Sequence, residues 1–542
     1  MSLSIFLSFS QLTAVSAALV LAGCARRETS VDAGNRTQTL HAVVSREPGT
    51  LDPHFAGGDV THIIDALFEG LVTLADDSVT IRPGVAERWE ISPDGLIYTF
   101  HLRANARWSN GDPVTAADFL ESFLRFLDPR LRSPFVNDVF MIAGAADYAE
   151  GRNPDPTSVG LRAPDARTFV ITLAHRSPYL LLRLTEREIR PVHMPSVDRF
   201  GGRVQRGAPW DKPGNLVGNG PFLLTQWQPN AVLVVTKNPH YWDAARVRLN
   251  EIRFYPIADV TTAERAYRAG QLHLSPVPPS KRAVYRDQPA TALHTVTQLG
   301  TRLLRLQTIR TPFFDARLRR AFSLALDRER LVSSVLAGFG VPAHSQTMPG
   351  TGGYEPPKLI TYDPVEARRL LAEAGYAGGA GFPRLELLIS GNDGETVALA
   401  EAMQQMWRRE LGVDVRILSN EGTVFLDSVR SGNFQISLSN WRYDLNDPVD
   451  QLLLGVSSYP SNQTGWKNAA YDRAFARSEA AATVAERRAA FDQMETLLAS
   501  EMPFIPLFHG ANAVLVHPSV QGWRDNGMSY IDWRELWLAA PK

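Results

Sequence analysis

Trp441 and Asp444 stand three positions apart in the segment NWRYDLNDPVD, residues 440–450, where an Asn-Asp-Pro turn signal follows at once. A ring and a carboxylate held together beside a turn have two uses. In a closed, water-poor cleft the carboxylate can hold a guest's ammonium by charge-assisted hydrogen bonds. Alternatively, Asp444 caps a turn alongside Asn446 and Asp447, and Trp441 belongs to a core. The residues alone leave both open.

The rest of the chain offers little catalytic chemistry. It contains no G-x-S-x-G elbow, no H-E-x-x-H, no Walker A loop and no dinucleotide fingerprint. The twelve histidines are scattered, and His54 and His62 have the wrong spacing to share a helical face. Asp76 and Asp77 lie in turn-like sequence and read as solvated loop charges. A triad of Ser, His and Asp assembled in space is open to any sequence of this kind. No metal and no cofactor is expected.

Composition narrows the class. The 542 residues are 44% apolar, ample for a large core and for more than one domain. The 56 basic and 57 acidic residues nearly cancel, with no basic block, so nucleic acid is not an expected partner. The single cysteine, Cys24, excludes an intrachain disulfide and a thiolate cluster. It closes the apolar run FLSFSQLTAVSAALVLAGC, which reads as an export signal. LAGC, residues 21–24, resembles a bacterial lipoprotein box, in which the cysteine receives lipid. Residues 1–23 are then the signal peptide and 24–37 a polar tether. No later run is long enough to span a bilayer.

Short strands alternate with amphipathic helices, which indicates α/β sheets. In residues 97–103, Tyr98, Phe100 and Leu102 fall on one face of a strand. Residues 115–128 read as a helix capped by Thr115, with Asp118 in its first turn and a stripe of Phe119, Phe123 and Phe126. Further strands are expected at 232–238 and 251–257, and in RLELLIS, DVRILS and FQISLSN. Residues 315–338 read as one long helix or two abutting ones. Asp363, Pro364 and Gly375 mark the cap, first position and end of another helix.

Seven stretches in order resemble the bacterial oligopeptide-binding proteins, the extracytoplasmic solute-binding proteins (family 5) of peptide ABC transporters. They are EPGTLDPH (47–54), residues 67–119, PGNLVGNGPFLLTQW (213–227), KNPHYWD (237–243), residues 310–332, DPVEARRLLAEAGY and NWRYDLNDP. The likeness runs from about residue 40 to the C-terminus. It implies a two-lobe, periplasmic-binding-protein-like α/β fold of type II, of the large class with an inserted domain, and a ligand cleft between hinged lobes. Mapped by motif, lobe 1 comprises residues 38–68, 195–299 and 508–542, the inserted domain 69–194, and lobe 2 residues 300–507.

The resemblance also implies a role for the opening motif. In the family, the aspartate of Trp-x-x-Asp pairs with the ligand's N-terminus and the tryptophan lines the site. Asp444 and Trp441 match residue for residue, and Asn440 and Tyr443 are placed with them. Departures follow. Arg305 stands where peptide binders often carry an acid, and an acidic bias in the ligand is expected from it. Phe135 replaces a tyrosine, Leu438 an arginine, and Gly422 or Thr423 a tryptophan. The implied protein is no enzyme. It is a monomeric, lipid-anchored envelope protein that captures oligopeptides and passes them to a permease with a separate ATPase subunit, its only membrane contact being the lipid. Ala25 points to the outer membrane in a cell that has two. The same scaffold also serves dipeptides, murein peptides, glutathione, haem and nickel complexes. An envelope peptide hydrolase and a chaperone or adhesin are the rivals from other classes.

Overall fold

The computed structural model describes residues 28–540 except 56–59, 76, 288–291 and 392. Cys24 and the signal segment lie outside the described residues. The tether expectation needs correction at its C-terminal end. Ser30–Thr37 is an α-helix, closed by a capping box in which Thr29 accepts from the Asp32 backbone and Asp32 accepts from Thr29. Reciprocal capping of this kind stabilises a short polar helix that composition alone reads as coil.

Two long strands organise the molecule, Leu293–Leu306 and Phe504–Val516, paired antiparallel along most of their length. At one end they continue into Thr39–Val44, Glu251–Pro256, Val232–Lys237 and Phe222–Gln228 through the short strand Leu274–Pro276. At the other, Ile436–Arg442, Leu385–Ser390 and Val415–Asn420 extend the same mixed sheet, which has eleven strands with Val341–Pro342 included. The register slips between Thr297 and Thr301, where the two strands cross from one half to the other. Such a slip bends a strand pair locally. Gly300 sits in it, and a Cβ there would lie 2.9 Å from the carbonyl oxygen of Trp441. The missing side chain lets the Ile436–Arg442 strand close against the crossover, with Gly300 opposite Arg442 and Tyr443 N–H donating to the Leu299 carbonyl at 3.1 Å.

Apolar side chains gather in separate clusters. One joins Leu40, Phe68, Met194, Phe254, Val516 and Trp533, drawn from distant stretches of chain. A second lies within 71–189 around Phe100, Phe119, Phe123, Phe126 and Phe169, beneath a four-stranded antiparallel sheet. The third part carries clusters on both faces of its sheet. Leu304, Leu306, Ile436 and Leu438 are on one side, and Leu303, Tyr471, Phe491 and Phe504 on the other.

Local expectations correspond closely to these elements. Tyr98, Phe100 and Leu102 are buried along Ile97–Leu102, and Thr115 and Asp118 form a capping box on Ala116–Leu127. Of the two arrangements expected at 315–338, the structure has two helical stretches, Ala316–Leu324 and one from Arg328 whose N-cap is Asp327.

Candidate functional site

The strand Ile436–Arg442 delivers Trp441 at its end, and residues 443–447 turn sharply after it. That turn is fastened at several points. Asp444 N–H donates to Asp450 Oδ2 at 3.2 Å, and Asn446 Oδ1 accepts from Gly352 N–H at 2.9 Å. Asp447 caps the helix Pro448–Leu452 and takes both terminal nitrogens of Arg487, at 2.6 and 2.9 Å. The capping work thus falls to Asp447. The carboxylate of Asp444 accepts no hydrogen bond among the described residues, although its own backbone is held.

Asp444 is exposed, yet burial raises its pKa, because protein surrounds the space it faces. It therefore lines a recess rather than a convex surface. Arg183, Arg442 and Arg187 oppose the rise. The recess is rich in acids from both sides. Burial and the neighbouring Asp444 push Asp450 well up; burial raises Asp138, with Asp444 adding to it. Glu186 is raised well above its ordinary value and Glu188 to about 7, in each case first by burial. The cations are already paired, Arg183 with acids of the recess itself, lying 3.5 Å from Asp138, and Arg187 with Asp65. Arg183 binds Glu186 at 2.9 Å, and Arg187 grips Asp65 with Nε at 3.0 Å and Nη2 at 2.8 Å.

Trp441 is half-buried. Its Nε1 donates to the Asp450 carbonyl at 3.2 Å, and its ring meets Tyr459 edge-on at 6.4 Å. The Arg305 guanidinium lies 6.0 Å from the centre of the indole. Arg305 shares its strand face with Leu303, so it projects to the same side of the sheet as Trp441. Phe135 is half-buried on the core of the 71–189 part, and its carbonyl accepts from Asp138 N–H at 3.0 Å, which ties it to the acids around Asp444.

Two predicted residues are not brought to this recess. Tyr443 is buried, and its hydroxyl bonds Thr301 Oγ1 at 2.9 Å and accepts from Met348 N–H at 3.2 Å. It is a fastener of the loop. Asn440 is exposed, but strand alternation sets it on the face opposite Trp441. Sequence reasoning missed Asp138, Arg183, Glu186, Arg187, Glu188 and Asp450. A signal was present in RLTEREIR, residues 183–190, five charges packed into an otherwise apolar stretch.

A cavity of about 300 Å³ opens in the other half of the molecule, lined mainly by apolar groups including Val44, Phe254, Val296 and Val514. Tyr530 also lines it, with its ring 5.9 Å from the guanidinium of Arg187, a cation that acts on Asp444. Among the described residues no set of three or more His, Cys, Asp or Glu is arranged to hold a metal ion.

The chain is 32% identical over 520 residues to the periplasmic oligopeptide-binding protein OppA of Escherichia coli, covering 93% of this chain and 94% of that protein. It is 33% identical over 500 residues to the periplasmic murein peptide-binding protein MppA of the same organism, covering 90% and 91%. The crystal structure of Haemophilus influenzae OppA in complex with the peptide RPPGFSPFR superposes with a TM-score of 0.76 at 29% identity, over 93% of this chain and 99% of that one. Residues 80–463 match the profile described as bacterial extracellular solute-binding proteins, family 5 Middle, and the chain belongs to that family.

Proposed function

We propose that the protein captures oligopeptides in the cell envelope and delivers them to the permease of an ABC transporter. The observation that carries this reading is the Asp444 carboxylate, held by its backbone, without a hydrogen-bond partner among the described residues, and facing a recess crowded with acids. Every linear peptide offers one ammonium and a repeating backbone. The ammonium replaces the missing partner of Asp444 and offsets the repulsion among Asp138, Asp444 and Asp450. Trp441 forms a wall beside it, and the backbone is recognised without regard to side-chain identity. Two named relatives, the oligopeptide-binding and the murein peptide-binding protein, agree with this choice of ligand.

In this reading lobe 1 is residues 38–68, 195–299 and 508–542, the inserted domain 69–194 and lobe 2 residues 300–507. The strand crossover at Gly300 is the hinge. A ligand that touches both sides favours the closed form. Chemistry is not required of the protein. Lipidation at Cys24 anchors a monomer to the membrane, and the ATPase is another chain.

The test is calorimetry with one tripeptide in two forms, free and N-acetylated. Asp444→Asn is expected to weaken the free form about 10- to 150-fold, the worth of a charged hydrogen bond of ~1.5–3 kcal/mol, and acetylation should weaken wild-type binding comparably. Equal affinity for both forms would sink the reading.

A further inference from the structure

Six arginines of the described residues are buried: Arg125, Arg183, Arg190, Arg305, Arg319 and Arg328. Five are tied to acceptors. Arg125 clasps Asp52, Arg183 Glu186 and Arg190 Asp65, while Arg319 and Arg328 donate to backbone carbonyls. Arg305 differs. It is 4% exposed, its Nε and Nη1 are buried without a hydrogen-bond partner, and no carboxylate acts on it. Tyr459 supplies its one electrostatic support. The nearest hydroxyls on the adjoining strand, Ser437 and Ser439, lie 3.5 Å from each other, and Arg305 donates to neither. Burial lowers its pKa to about 10, so it remains a cation at neutral pH. An unpaired buried guanidinium is costly, and proteins tolerate one where a ligand supplies the counter-ion.

We propose that Arg305 is the receptor for a carboxylate carried by the ligand close to its amino end. The claim rests on the Asp444 reading for its register. Arg305 lies beside the Trp441 indole, whose Nε1 binds the Asp450 carbonyl, and the Asp450 carboxylate in turn binds Asp444 N–H. The two unpartnered charges, one anion and one cation, are therefore linked through Trp441 and Asp450. At about 3.3 Å of extended chain per residue, a ligand spans such a separation within its first few residues. The carboxylate comes from an acidic side chain at those positions or from the C-terminus of a very short peptide. A guanidinium fork receives either in the same way.

Calorimetry on two peptide pairs separates the sources. The first pair carries Glu or Gln at position 2 or 3 in a C-terminally amidated peptide. The second is a neutral tripeptide as free acid or amide. Wild type is expected to prefer the acid in at least one pair by about 10- to 150-fold, the pair identifying the source, and Arg305→Met should abolish that preference. No preference in either pair overturns the proposal, as does a preference that survives Arg305→Met. N-acetylating the same peptides reads the Asp444 assignment independently. Loss on acetylation without acid preference defeats Arg305 alone, whereas acid preference insensitive to acetylation defeats Asp444 alone. A second readout uses no ligand. Removing an unmatched buried charge should leave Arg305→Met at least as resistant to thermal unfolding as wild type, and a lower midpoint would mean that Arg305 holds the fold together and would count against the proposal.

Discussion

At the scale of single residues, what separates structure from function here is whether a polar group finds its partner inside the chain. Asp447 and Tyr443 lie within three residues of Asp444, and both are fully engaged, one with Arg487 and a helix N-terminus, the other with Thr301 and Met348. Asp444 and Arg305 are left over. This distinction predicts opposite phenotypes for neighbouring positions. Tyr443→Phe removes a buried hydroxyl and strands the Met348 N–H and Thr301 Oγ1. It is expected to cost about 1–3 kcal/mol of folding stability in denaturant titration. Asp444→Asn should leave the denaturation midpoint nearly in place while impairing binding. A Tyr443→Phe protein as stable as wild type would show that the loop is fixed by other contacts.

At the scale of elements, the strands and helices were legible because their burial follows period and caps. The alternation of Tyr98, Phe100 and Leu102 and the Thr115–Asp118 box needed only neighbours in sequence. The helix Ser30–Thr37 was missed because its polar composition masks a capping box. A motif match does not register that successive strand residues face opposite ways, and this alternation sets Asn440 on the face opposite Trp441. The grouping of acids around Asp444 is not legible in sequence. Asp138 and Glu186 lie hundreds of positions from Asp444, and only the packed fold brings them to it and to Asp450, six positions further along the chain. Gly300 shows the same dependence on a distant partner, its close contact being the Trp441 carbonyl. Gly300→Ala forces that carbonyl away and shifts the strand bearing Trp441. The expected result is weaker peptide binding together with a lowered thermal midpoint. If both stayed unchanged, the crossover would be looser than its contacts imply.

At the scale of the whole molecule, the parts meet through charge. The Tyr179 hydroxyl donates to Glu479 at 2.5 Å and the Arg487 guanidinium lies 5.8 Å from the Tyr179 ring, joining the 71–189 part to the helices behind Asp444. Across the same junction Arg183 and Arg187 act on Asp444, and Asp444 on Asp138 and Glu188. Binding of a cation here must therefore be linked to protons. Burial raises Asp444 and Asp138 and lifts Glu188 to about 7, so near pH 6 the recess is protonated at Glu188 before ligand arrives. An ammonium favours the ionised acids and lowers their pKa values. Binding should then release protons, and affinity should fall as pH drops through 7 and below, well above the range where ordinary carboxylates titrate. Above about pH 8 the ligand's own α-amino group loses its charge, so affinity declines on that side as well. Calorimetry at pH 6 in two buffers of different ionisation enthalpy measures the proton count directly. Release is the expected sign, with an affinity maximum between about pH 7 and 8. Proton uptake, or affinity flat down to pH 5, would mean that the acids of the recess do not face the ligand's amine.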